Sequence, residues 1–136
     1  MMLMKRMIFV SLLINILVLI PVCSGLFFDA DWVVDGYGPV SPARGILLSI
    51  YGAILVTSFC LLIKPLPLLV APLLLVQVLY KLTTPFTVGN INNPVVISNL
   101  AIAAVHLVTL FLILRVIQFS PSNKSPSSGN KSHRLI

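Results

Sequence analysis

Residues 7–28 carry no charged side chain, and these 22 residues, at about 1.5 Å each, make a helix of about 33 Å, long enough to cross the hydrocarbon of a bilayer. Three further runs, at 45–63, 66–82 and 95–118, are comparably apolar and interrupted by charge only at Lys81 and Arg115. A chain of 136 residues that is 58% hydrophobic and 9% charged, with a mean hydropathy of +1.08, has too little polar surface to hide four such runs from water. The expected fold class is therefore all-α, an integral membrane four-helix bundle whose domain covers residues 1–119. Residues 120–136 switch to Ser, Asn, Pro, Lys and Gly and are expected to form a disordered cytoplasmic tail.

The beginning of the chain admits a competing reading. Lys5 and Arg6 precede an apolar run, and small residues near Cys23 offer a cleavage site, which is the pattern of a secretory signal peptide. The run exceeds the roughly 7–15 residues of a signal core and continues through Leu26, Phe27 and Phe28, so a retained span is expected.

Between the first two spans lies the densest turn chemistry in the chain, with Asp35, Gly36, Tyr37, Gly38, Pro39, Ser41 and Pro42 in succession around Val40. Two glycines and two prolines forbid a continuous helix here, and Ser41 before Pro42 reads as an N-cap with proline at the first helical position. A structured loop is expected up to a helix restarting at about Pro42. The second and third spans should form a tight helical hairpin around Lys64 and Pro65, with Pro72 kinking the third span. Residues 83–94 read as a polar turn, closed by an Asn93 cap before Pro94.

Orientation follows from the cations. With both termini inside, Lys5, Arg6, Lys64, Arg115, Lys124, Lys131 and Arg134 lie on the inner side, seven against the two outer residues Arg44 and Lys81. Loop 29–44 then faces outward. The net charge of +6 is spread over span ends and forms no patch, so it argues for topology and against nucleic acid. Size and four-span plan resemble small bacterial membrane proteins such as the DoxX-like group, a likeness of plan that sets the expectation of a bacterial inner membrane. Cys23 and Cys60 fall at opposite ends of their spans, too far apart to pair.

Two helical stripes organise the second span. Gly45, Ser49, Ala53 and Thr57 recur every four residues with Gly52 beside them, a small-residue face along which another helix can approach closely. On the opposite side Arg44, Tyr51 and Ser58 repeat every seven residues. The fourth span carries Asn99, Ala103, His106 and Thr109 on one face.

His106 stands eleven residues past Val95, about 16 Å deep, where an ionisable side chain is a functional-site hypothesis. The plainer expectation is a neutral imidazole bonded to Asn15 or Thr57, since a lone histidine without a carboxylate makes a poor proton relay, and haem ligation would lack a second membrane histidine.

Gln77 and Lys81, one turn apart, stand level with Arg44, Tyr51 and Asn99, which suggests a polar pocket opening outward and narrowing to His106. Its cations could hold a lipid phosphate, a quinone head or a carboxylate. The competing expectation is that Arg44 pairs with Asp35 and Lys81 snorkels to the interface.

The chain has no Glu, no membrane-embedded Asp and no phosphate loop, and no Ser/His/Asp set lies in plausible proximity. No enzyme activity, cofactor or metal is expected. The function these residues suggest is that of a non-catalytic membrane protein, an accessory or assembly subunit of a larger complex or a homo-oligomer, with membrane lipid and a protein partner or itself as its contacts. The alternative is a small transporter or lipid- or quinone-binding protein using the outward pocket.

Overall fold

The computed structural model describes residues 1–119; the tail expected at 120–136 lies outside them. The described residues form five helices, α1 (Met2–Phe28), α2 (Asp31–Tyr37), α3 (Pro42–Ile63), α4 (Pro67–Val88) and α5 (Pro94–Phe119). All but α2 are long and apolar enough to cross a membrane. In each of these four, at most 33% of the most apolar window is buried inside the chain, so most of the apolar surface faces outward, where lipid is the compatible solvent.

Local chemistry accounts for the helix ends. Asp29 closes α1 in the left-handed conformation, φ 55° and ψ 47°, with its N–H on the Gly25 carbonyl, a conformation Asp adopts more readily than most residues. Ser41 caps α3, its hydroxyl accepting from the Arg44 N–H at 3.2 Å with Pro42 behind it. Asn93 performs the same service for α5, its side-chain oxygen accepting from the Val95 N–H at 2.8 Å.

Three expectations need correction. The stretch read as a loop holds a short helix, so Asp35, Gly36 and Tyr37 belong to α2 and only Gly38, Pro39 and Ser41 connect it to α3. That helix is seated by close approach: a Cβ at Gly25 would overlap Trp32 and Val33, and one at Gly36 would come within 2.9 Å of the Val95 side chain. The Asn93 amide also donates to the Gly36 carbonyl at 3.1 Å, tying α2 to α5.

Second, α4 does not stop at residue 82 but runs through Pro85 to Val88, ending on Gly89 with φ 69°. Pro85 removes the N–H that would reach the Lys81 carbonyl. The hydroxyls of Thr83 and Thr84 both donate to the neighbouring Tyr80 carbonyl at 2.9 Å, reinforcing the turn where proline weakens it. Third, α3 and α4 share the shortest connection between spans yet touch each other sparsely; the intimate pairs are α4 with α5 and α1 with α3. Leu66 is held extended before Pro67, with φ −106° and ψ 106°, which turns α4 away from α3.

Two apolar clusters result. At the end bearing the chain's N-terminus, Met4, Ile8, Leu12, Leu61, Val70, Leu74 and Ile113 form a sealed layer. At the end capped by α2, Leu19, Leu26, Val33, Tyr51 and Ile54 form the second. Polar side chains fill the interior between and beside them, and they define the candidate site.

Candidate functional site

The buried polar residues come from all four spanning helices: Ser11 and Asn15 on α1, Arg44 and Ser58 on α3, Gln77 and Lys81 on α4, and Asn99, His106 and Thr109 on α5. In a lipid-bounded interior each needs a partner within the chain. They resolve into three groups.

At the capped end, Arg44 is a staple for the connection around α2. It donates to the Asp29 carboxylate at 2.8 Å, to the Gly38 carbonyl at 2.9 Å and to the Leu26 carbonyl at 3.4 Å. Its partner is Asp29 rather than the expected Asp35. The left-handed turn at Asp29 directs that side chain back over the bundle end, and Leu26 offers one of the unpaired carbonyls of the last helical turn.

Below α2 lies a cavity of about 650 Å³, walled by Tyr37 and Asp35 of α2, Tyr51 of α3, Tyr80 and Thr84 of α4, and Asn99 of α5. A second cavity of about 370 Å³ opens on the far side of α2 towards α1 and shares Asp35, Gly36, Tyr37, Val95 and Asn99 with the first. The three tyrosines make a continuous aromatic wall, with Tyr37 and Tyr51 centroids 6.2 Å apart edge to face and Tyr51 and Tyr80 centroids 6.4 Å apart. Burial first, and Tyr51 beside it second, push the Tyr37 phenol far above its ordinary value of 10, so it stays a neutral hydroxyl.

Behind this wall sits Lys81. Its ammonium donates to Asn99 Oδ1 at 3.0 Å, the Asn99 amide donates to Thr84 Oγ1 at 3.3 Å, and Thr84 donates onward to the Tyr80 carbonyl. The Nζ lies 4.9 Å from the Tyr80 ring centroid. Lys81 is 4% exposed, so it does not snorkel, and among the described residues the sole ion pair is Arg44 with Asp29.

The third group is central. Asn15 donates through Nδ2 to Ser58 at 3.1 Å, and its oxygen faces His106 Nε2 at 3.0 Å, so Nε2 is the protonated nitrogen and Nδ1 carries a lone pair. Thr57, the other expected partner, is exposed and donates to the Ala53 carbonyl of its own helix at 2.8 Å. Nearer the sealed end, Ser11 and Thr109 hydroxyls meet at 2.8 Å.

Two buried groups have no hydrogen-bond partner among the described residues, Gln77 Nε2 and His106 Nδ1. The Lys81–Asn99 bond sets the register of the antiparallel α4–α5 pair, which leaves Gln77 and His106 about three residues, or roughly 4.5 Å, apart along the axis. Side chains lean towards the N-terminus of their own helix, so these two lean towards one another along the axis, although no hydrogen bond joins them.

Of the residues proposed from sequence for an outward pocket, Tyr51 and Asn99 line the larger cavity, Lys81 stands directly behind it, Gln77 and His106 lie deeper, and Arg44 is diverted to the loop. Tyr37, Tyr80 and Thr84 complete the cavity wall and were missing from that set. Tyr80 and Thr84 are one turn apart beside Lys81, a signal that becomes readable once α4 is carried through Pro85.

The small-residue stripe is on the outside. Gly45, Ser49, Ala53 and Thr57 are exposed and Gly52 half-buried, and a Cβ at Gly45 or Gly52 would meet nothing within 4 Å. Among the described residues no helix uses that face. Comparison with family models, curated proteins and solved structures finds no match for the chain.

Proposed function

We propose that the protein binds a membrane-resident amphiphile, taking its head group into the cavity beneath α2 and leaving its apolar tail in lipid along the seam between α3 and α4. The observation that carries this reading is the coincidence of a 650 Å³ cavity, lined by hydroxyl, amide and aromatic groups, with the one pair of consecutive spanning helices that scarcely touch. Hydroxyl and amide groups set among apolar and aromatic walls suit an occupant that is part polar and part apolar, and a lateral seam gives access to a molecule already dissolved in the bilayer. By the bias of Lys and Arg towards the termini, the cavity faces the exterior and both termini face the cytoplasm. No reaction is assigned to it.

The test is to purify the protein in mild detergent and weigh it by native mass spectrometry. The expected result is a retained amphiphile on the wild type, lost when Thr84→Phe fills the cavity. A wild type that carries nothing, or a filled variant that retains the same molecule, would refute the reading.

A second reading has its own observation, the outward stripe of Gly45, Ser49, Ala53 and Thr57, whose hydroxyls at Ser49 and Thr57 already bond to their own helix. Such a face suits close packing against a helix of another protein or a second copy, the accessory-subunit role. Ser49→Leu should then lower the assembled mass seen by light scattering in detergent.

A further inference from the structure

The bundle holds two buried cations, and they are provided for differently. Arg44 has the Asp29 carboxylate at 2.8 Å and, besides it, two backbone carbonyls. Lys81 has three N–H donors and, among the described residues, one hydrogen-bond partner, the neutral oxygen of Asn99. With 4% exposure it is denied water, and no carboxylate of the described residues lies within ion-pair distance. A buried charge in that condition lowers stability, and replacing such groups by apolar ones is often neutral or stabilising, so its presence calls for a partner that arrives from outside.

The cavity supplies the route. Tyr80 and Asn99, which the lysine touches, and Thr84, which bonds to Asn99, are themselves cavity wall, so the ammonium lies one side chain behind that wall. Asp35 is the one carboxylate on the same cavity, and it is exposed at the mouth, on the α2 side, where water screens it.

Resting on the amphiphile reading above, we propose that the head group taken into this cavity is an anion, a carboxylate or phosphate on an acyl chain, and that Lys81 neutralises it with Asn99 and the hydroxyl of Thr84 as neighbouring ligands. Arg44, by contrast, takes no part, because Asp29 and two backbone carbonyls hold it at the connection around α2 and it does not line the cavity.

The experiment uses the full chain in dodecyl maltoside and reads binding by tyrosine and tryptophan fluorescence and by the rise in melting temperature. Three probes are titrated: oleate, dioleoyl phosphatidylglycerol, and oleyl alcohol as the uncharged chain. Saturable binding of an anionic probe about ten- to a hundredfold tighter than the alcohol is expected, the range for a hydrogen bond to a charged group. Preference for oleate marks a free carboxylate and preference for the phospholipid a lipid phosphate. Equal binding of all three overturns the anion and leaves the amphiphile reading standing, whereas no binding by any of them overturns both. In Lys81→Met the preference for charge should vanish while the ligand-free melting temperature stays level or rises. Lys64→Gln, which removes an exposed charge between α3 and α4, should keep it. Retained preference in Lys81→Met refutes the proposal, and if that variant does not fold, the wild-type titrations decide alone.

Discussion

The central histidine offers the sharpest test of how this interior is held together. His106 is fully buried and shares one bond, at 3.0 Å, with Asn15, which in turn donates to Ser58. His106→Leu removes that bond and strands the Asn15 oxygen, but it also removes the unpartnered Nδ1, so the net loss should be about 1 kcal/mol. Asn15→Leu is worse, because it leaves a buried imidazole with neither nitrogen paired, a loss of about 2–3 kcal/mol. Together the two changes remove both ends of the bond, and Ser58 can turn back to a carbonyl of its own helix. The double variant should therefore lie only about 1–2 kcal/mol below wild type, less than the sum of the singles by about 2 kcal/mol. His106→Gln keeps a donor and an acceptor and should lose under about 1 kcal/mol. Reversible unfolding in mixed dodecyl maltoside and dodecyl sulfate micelles measures all four. Additivity within about 0.5 kcal/mol, or a milder Asn15→Leu than His106→Leu, would show that the bond does not organise the core.

Gly25→Val should unseat α2, since its side chain would occupy the space of Trp32 and Val33; a loss of about 2 kcal/mol or more and new reactivity of a Tyr37→Cys probe are expected. Arg44→Met releases the Asp29 pair and two carbonyls and should destabilise by about 1–3 kcal/mol, while Asp29→Asn, whose side chain is 51% exposed, should be nearly neutral in the same unfolding assay. For topology, Ser127→Cys should resist an impermeant thiol reagent in intact cells and Val40→Cys should react; the opposite pattern would reverse the orientation.

Much of this arrangement was legible because helical spacing is unforgiving. The steps from Asn99 to Ala103, His106 and Thr109 put four residues on one face of α5, and all four are buried. The seven-residue repeat of Arg44, Tyr51 and Ser58 marked the inward face of α3 in the same way. What escaped was set by tertiary context. Helix α2 has one buried residue, Val33, and two poor helix formers at its end, so its conformation comes from what Gly25, Asn93 and Val95 present to it. Pro85 signalled a stop that Thr83 and Thr84 override, and that error hid Thr84 from the pocket. Nor could spacing choose among three nearby aspartates as the partner of Arg44; the backbone turn at Asp29 decided it.

The apolar layer near the N-terminal end bears on the membrane as much as on the protein. A membrane that stores a voltage exerts about 2.3 kcal/mol per 100 mV on each elementary charge that crosses it, and a wet interior reaching both faces would be a leak. Met4, Ile8, Leu12, Leu61, Val70, Leu74 and Ile113 offer an ion no side-chain ligand and a proton no acceptor. Water entering the cavities around α2 would still be separated from the other face by this layer. The bundle can thus hold a cavity near one face while remaining an electrical insulator, and any passage from one face to the other would require these seven side chains to part.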